Sequence, residues 1–245
     1  MSASSTRSQR PPWVVPVAIL AATAVLVVLV VIVRTGGDSG TQSGADSPGQ
    51  GAAAEVEQVE EPDFSFAERR DDDDLLAAGP VDAPVGLVIF SDYQCPFCAS
   101  WNADTLPAMM QRAEAGELRI EWRDVNVFGE ASERASRASY AAGVQGAFWE
   151  YHDVLFADGE TRSEQELSDD ALIDLAAELG LDTERFAQDL ESEQTREQIA
   201  ENARLGLELG AHSTPTFILG GQPILGAQPT EVFVDALDDA LAAVE

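Results

Sequence analysis

The chain has 245 residues, 45 % of them apolar, enough for one domain with a buried core plus appendages. It carries 44 acidic residues against 14 arginines and no lysine, a formal charge of −30, which excludes a body that binds nucleic acid or an anionic lipid surface by charge. From Val81 onward nine arginines stand against 32 acids; a solvated acidic surface accounts for this and names no partner.

Arg7 and Arg10 lie in residues 1–12, ahead of an uncharged run from Trp13 to Val33 that is almost purely aliphatic from Val25 onward. As a helix, 21 residues cover roughly 31 Å, the depth of a bilayer's hydrocarbon core, so 13–33 is predicted to be a transmembrane anchor. Basic residues precede it, and an acidic, Gly/Ser-rich stretch follows Arg34. Residues 1–12 are therefore expected in the cytoplasm and the rest on the extracytoplasmic side. A cleaved signal peptide is the competing reading, but the apolar run is too long for one and no small-x-small site follows it closely. Either reading delivers the later cysteines to a disulfide-permissive compartment.

Residues 34–80 shift to Gly, Ser, Ala, Gln and acids, as in Gly36-Gly37-Asp38-Ser39-Gly40, and read as a disordered acidic linker. Such a tether of roughly 45 residues reaches about 35–40 Å. Asp71-Asp72-Asp73-Asp74 reads as solvated linker rather than a calcium site, and Phe64 and Phe66 mark a short strand or flap that docks on the domain. The domain itself is assigned to 81–245.

Within it the periodicities predict a strand at 85–90, a helix from about 96 to 115 kinked or divided at Pro107, and an alternating strand at 118–125. Helices follow at about 130–143, 147–157, 168–180, 183–190 and 194–209. A strand at 216–219, a Gly220-Gly221 turn, a strand at about 222–225 and a helix at 230–243 complete an α/β order with an all-helical insertion at about 130–209.

Cys95-Pro96-Phe97-Cys98 holds the only two cysteines, where the first domain strand gives way to a helix. A disulfide across so short a loop removes little unfolded-state entropy, so the pair reads as a redox couple rather than a staple. With Pro96 opening the helix, Cys95 falls at the N-cap, where unsatisfied N–H groups and the helix dipole favour its thiolate. Cys98, one turn on, is expected to be the shielded resolving thiol. Zinc needs about four ligands, and only His152 and His212 could join the cysteines, so no metal is expected. The redox-active disulfide is the only cofactor the chain needs.

This order, with Cys-Pro-Phe-Cys after the first core strand and Ser213-Thr214-Pro215-Thr216-Phe217 before the hairpin, resembles the DsbA-like branch of the thioredoxin superfamily. Ser91-Asp92-Tyr93-Gln94-Cys95-Pro96-Phe97-Cys98 is similar to the segment found in membrane-anchored bacterial members, and Phe148 to Phe156 to the stretch that enters the helical insertion. The resemblance covers roughly 81–245. It implies a thioredoxin-like fold, catalytic Cys95 and Cys98, and a cis Thr214-Pro215 peptide facing them. Pro96, Phe97, Thr214 and Pro215 would form the active-site loop and client groove, with the Thr214 hydroxyl aimed at Cys95.

The chain departs from the family in one respect. Ile89 stands six residues before the first cysteine, where the best-known members carry a buried acid. Proton handling for Cys98 then falls to Asp92, to Glu121 on the neighbouring strand, or to water, although Asp92 can equally cap a turn. His212 is read as an exposed loop residue and His152 as a core or surface helix residue.

The resemblance implies a protein-disulfide oxidase passing its disulfide to exported client proteins. It also implies a quinone-linked membrane reoxidant of DsbB or vitamin-K-epoxide-reductase type. A reductase or isomerase of the same fold, including one for cytochrome maturation, and a non-enzymatic anchored redox sensor or metal-delivery module are the alternatives. Isomerases of this superfamily typically add a dimerisation domain, whereas residues 34–80 read as unfolded, which favours the oxidase; a monomer is expected. If the anchor assignment holds, protease added to spheroplasts will remove the cysteine domain and leave the anchor in the membrane; full protection of the domain, or a secreted form beginning near residue 36, would refute it.

Overall fold

The structure is a computed structural model and describes residues 62–244. The predicted N-terminus at 1–12, the anchor at 13–33 and the linker as far as residue 61 lie outside the described residues. Among the described residues no helix is long and apolar enough to cross a membrane.

Five strands form one sheet: β1 (Ala77–Ala78), β2 (Val85–Ser91), β3 (Leu118–Asp124), β4 (Thr216–Leu219) and β5 (Gln222–Leu225), in the spatial order β1-β3-β2-β4-β5. Only β2 and β3 run parallel, with Val85 opposite Leu118 and Ser91 opposite Asp124. They are joined by α1 (Pro96–Asp104) and α2 (Leu106–Glu114), one helical run divided at Thr105 because Pro107 cannot donate to the preceding turn. The insertion after β3 comprises α3 (Glu130–Gly143), α4 (Phe148–Leu155), α5 (Asp169–Glu178), α6 (Thr183–Leu190) and α7 (Glu193–Glu208). The chain closes with α8 (Thr230–Val244). The elements predicted from residue 85 onward all appear, within a few residues of their expected ends.

Every residue of β2 and β3 is buried, because both faces of the sheet are covered. Leu87, Ile89, Ile120 and Trp122 face a core shared with α1, α2, α8 and the insertion. Val88, Phe90, Val125 and Ile218 face the other way, under Leu205 and Leu209 at α7 and under Ala67. Gly206 makes the α7 contact possible, since a Cβ there would lie 2.4 Å from Val125 Cγ1.

The expected linker boundary at residue 80 is corrected. Residues 62–80 belong to the folded unit: Phe64 N–H donates to Gly221 O at 2.8 Å, Ala67 and Leu76 are buried, and β1 pairs with β3. The flap expected around Phe64 and Phe66 does dock, although the Phe66 ring remains exposed. The clamp is ionic. Glu121 accepts from the backbone N–H groups of Arg69 at 2.9 Å and Arg70 at 2.7 Å, and from the Arg123 guanidinium at 2.7 Å. Arg123 also pairs with Asp74 at 2.7 Å, and Arg119 donates to the carbonyls of Gly79 and Asp71.

A neutral network ties the insertion to the cysteine helix. His152, fully buried on α4, accepts at Nδ1 from the Tyr93 hydroxyl at 3.0 Å, so its Nε2 carries the proton and donates to Asn102 Oδ1 on α1 at 2.5 Å. Burial lowers its pKa from 6.5 to about 3. The unfolded chain therefore binds a proton here that the folded chain refuses between those values, and stability falls as pH drops through that window. Between pH 7 and pH 4 the wild type should lose about 3 kcal/mol more stability than His152→Gln, measured by urea unfolding. Equal losses in the two proteins would show that His152 is not held neutral.

Candidate active site

β2 delivers the chain to a tight turn at Asp92-Tyr93-Gln94, and that turn places Cys95 at the N-cap of α1. Asp92 Oδ1 accepts from Gln94 N–H at 2.7 Å, its Oδ2 accepts from Phe128 N–H at 3.0 Å, and its carbonyl accepts from Cys95 N–H at 3.0 Å. Both carboxylate oxygens are thus engaged by the backbone, the turn-capping role weighed against a proton relay. Cys95 is extended, with φ −88° and ψ 116°, and Pro96 opens the helix. The far end of α1 is held by Trp101, whose ring lies 4.6 Å from Phe217 on β4 and 5.4 Å from Phe233 on α8.

The two thiols are free and differ sharply in acidity. The Cys95 pKa is lowered from 9.0 to about 6, first by a hydrogen bond from the Cys98 thiol, then by Thr214 and by the N–H groups of Cys98 and Phe97, against the opposing effect of burial. The Cys98 thiol is pushed far up, by burial and then by the neighbouring Cys95, although the Ser91 hydroxyl and the Asp92 N–H offset part of the rise. Exposure does not separate them as expected: each is 1 % exposed, because the loop at Thr214 covers Cys95. Acidity, not access, distinguishes the pair.

The Thr214-Pro215 peptide is cis and lies over Cys95. Thr214 O accepts from the Cys95 thiol at 3.2 Å. The Thr214 hydroxyl is buried without a regular partner and lowers the Cys95 pKa. The carbonyl serves the thiol and the hydroxyl serves the thiolate. Pro96 and Phe97 are exposed at the mouth, Phe97 by 68 %, whereas Pro215 is buried.

Glu121 is corrected as a proton relay. Strand alternation sends it to the sheet face opposite Trp122 and Ile89, where Arg69, Arg70 and Arg123 occupy its carboxylate. Ile89 is fully buried beneath the pair and brings no acid. His212 is exposed, as expected. Two features escaped the sequence reading. Val127 and Phe128 are exposed at 44 % and 56 %, Phe128 being drawn to the site by its bond to Asp92. Asp124, at the end of β3, is a buried carboxyl on the same face as the cysteines. Alternation could have revealed it, two residues beyond Trp122 on an otherwise apolar face. Among the described residues no cluster of His, Cys, Asp and Glu is arranged to hold a metal.

A cysteine pair at a helix N-terminus beneath a cis-proline loop, on this sheet and with a helical insertion, defines the DsbA-like branch of the thioredoxin superfamily. The family model described as thioredoxin matches residues 72–239, and the chain belongs to the thioredoxin family. It is 37 % identical over 165 residues to a Na⁺/H⁺ antiporter NhaA of Herminiimonas arsenicoxydans, covering 65 % of this chain and 24 % of that protein. The match therefore spans about a quarter of the antiporter's length. It is 27 % identical over 150 residues to disulfide bond formation protein D of Bacillus subtilis, covering 60 % of this chain and 68 % of that protein. The oxidised crystal structure of BdbD from Bacillus subtilis superposes with a TM-score of 0.63 at 24 % identity, covering 74 % of this chain and 96 % of that one.

Reduced protein should react with iodoacetamide at Cys95 alone at pH 7, its rate following a single ionisation near pH 6. Comparable labelling of Cys98, or an inflection near the ordinary thiol range, would overturn the assignment.

Proposed function

We propose that the chain is an extracytoplasmic thiol-disulfide oxidoreductase that works as an oxidase, donating its Cys95-Cys98 disulfide to exported proteins. The observation that carries this is the set of hydrogen bonds serving the Cys95 thiolate, which lower its pKa to about 6. Stabilising the reduced form of a dithiol makes its disulfide more oxidising.

A client thiolate attacks Cys95 Sγ, the Cys95–Cys98 bond breaks, and a mixed disulfide forms with Cys98 as the departing sulfur. A second client thiolate then attacks the client sulfur of that bond. Cys95 leaves as a thiolate, a good leaving group at its lowered pKa, and the client keeps the new disulfide. Phe97 and Phe128 offer apolar surface beside the reacting sulfur, and the cis-proline loop offers backbone groups for an extended client segment.

The membrane setting rests on the uncharged run at 13–33 and is supported by relatives named as Na⁺/H⁺ antiporters, in which a similar region forms about a quarter of the protein. An anchored donor would meet a quinone-linked reoxidant of DsbB or vitamin-K-epoxide-reductase type in the plane of the membrane. The deciding measurement is the equilibrium potential of the full chain against glutathione. The oxidase reading expects a value well above the roughly −270 mV of a reductant such as thioredoxin, toward about −120 mV. A value at the reductant end would transfer the assignment to a reductase. Cys98→Ala should accumulate mixed disulfides with client proteins, and Cys95→Ala should not.

A further inference from the structure

α4 of the insertion holds the cysteine segment from both flanks. The hydroxyl of Tyr93, two residues before Cys95, donates to His152 Nδ1 at 3.0 Å, and Asn102 Oδ1, one turn beyond Cys98 on α1, accepts from His152 Nε2 at 2.5 Å. All three side chains are buried, and the imidazole is boxed by aromatic rings. Between ring centres, Trp122 lies 4.3 Å from it, Trp149 and Phe156 5.3 Å, Tyr93 5.6 Å and Phe148 5.8 Å. A polar group so enclosed has only the partners its network provides, so the two bonds fix Tyr93 and Asn102 relative to each other.

A third tie runs beside these. Gln94 Nε2 donates to Arg162 O at 2.8 Å, and the Arg162 guanidinium donates to Val154 O on α4, from Nε at 3.1 Å and from Nη2 at 2.8 Å. The insertion is thus bonded to the chain on both sides of Cys95, the N-cap of α1. Pro96 has no N–H, and the N–H groups of Phe97 and Cys98 lie in the first turn, where a helix offers them no acceptor. Those open groups and the positive end of the helix dipole favour a thiolate only at that place, and their effect fades within a turn. Cys95 stays there while the turn at 93–95 and the start of α1 keep their relative position, and His152 bonds to both.

We propose that His152 is a positioning residue for the nucleophile: by tying Tyr93 to Asn102 it keeps Cys95 Sγ seated at the start of α1, so that the docking of the helical insertion governs how firmly the thiolate is held and how oxidising the disulfide is. This rests on the reading of Cys95 as the attacking thiol. His152 acts through Tyr93 and Asn102, and no bond or proton is exchanged at its ring. Its neutral form is the one that serves, since an imidazolium cannot accept from the Tyr93 hydroxyl. Without the tie, the turn and the helix start can shift independently, and the sulfur leaves the place where the helix favours its charge.

Two readings on the full-length protein test this: titration of the reduced form by its ultraviolet thiolate absorbance, and the redox equilibrium with glutathione. In the wild type Cys95 should ionise near pH 6. His152→Leu can neither accept from Tyr93 nor donate to Asn102, and should make Cys95 about tenfold less acidic. At pH 7 that lowers the equilibrium constant for oxidising glutathione about fivefold, or about 20 mV. His152→Gln keeps an acceptor and a donor and should recover most of both shifts. Tyr93→Phe and Asn102→Ala each cut one arm and should move both readings in the same direction by less; they decide if His152→Leu does not fold. Tyr151→Phe controls for lost stability alone, because its hydroxyl donates from α4 to Leu172 O at 2.7 Å, away from the cysteine segment, and it should leave both readings at wild type. His152→Leu overlaying the wild type in both readings overturns the proposal, as do both single-arm variants overlaying it or an equal shift in Tyr151→Phe. A wild type whose Cys95 ionises in the ordinary thiol range overturns the underlying reading of Cys95, and the proposal with it.

Discussion

The chemistry of this protein depends on one sulfur atom held where a helix begins. Cys95 lies beyond the last hydrogen-bonded turn of α1, so the N–H groups of Phe97 and Cys98 have no partner inside the helix and turn to the thiolate. That arrangement works only if the helix cannot recoil. Trp101 wedges its far end between Phe217 and Phe233, and Asn102 is held by His152 from the insertion. At the near end Asp92 fixes the turn through three backbone groups. Each aromatic pair is worth about 0.5–1.5 kcal/mol beyond burial, which is enough for packing far from the sulfur to bear on its position.

The sheet separates two kinds of polar chemistry. On the cysteine side polar groups are few, and the two buried acids are Asp92, whose carboxylate is held by backbone N–H groups, and Asp124, whose pKa is raised by burial. On the opposite side Arg119, Glu121 and Arg123 form a buried charged row whose partners come largely from residues 69–79. Such a row is tolerated because its charges are paired and bonded to backbone, and removing one member typically costs about 3–5 kcal/mol. Its effect is to fasten the segment that leads into the domain along the edge and back of the sheet.

That division explains which sequence readings survived. The cysteine pair, the order of elements and the break at Pro107 were legible because each rests on a local rule: thiol spacing, a 2.0 or 3.6 residue period, a missing N–H. The candidate proton groups were not. Asp92 and Glu121 are both acids near the cysteines in sequence or on the adjoining strand, yet one is consumed by a turn and the other faces away. Asp124 carries the required alternation, but a single acid ending a strand reads as exposed until a helix covers it.

The sequence by itself determined that two thiols sit where a strand passes into a helix, that one of them caps that helix, and that a Thr-Pro pair precedes the final hairpin. These follow from residue types and near-neighbour spacing. Only the tertiary structure decided that Thr214 closes over Cys95, that access does not distinguish the cysteines, that residues 62–80 belong to the fold, and that Asp124 is buried beside Ser91. Those outcomes depend on which groups meet across about 30 to 120 positions of chain, where no local rule reaches and where burial raises the pKa of Asp124 and of Cys98.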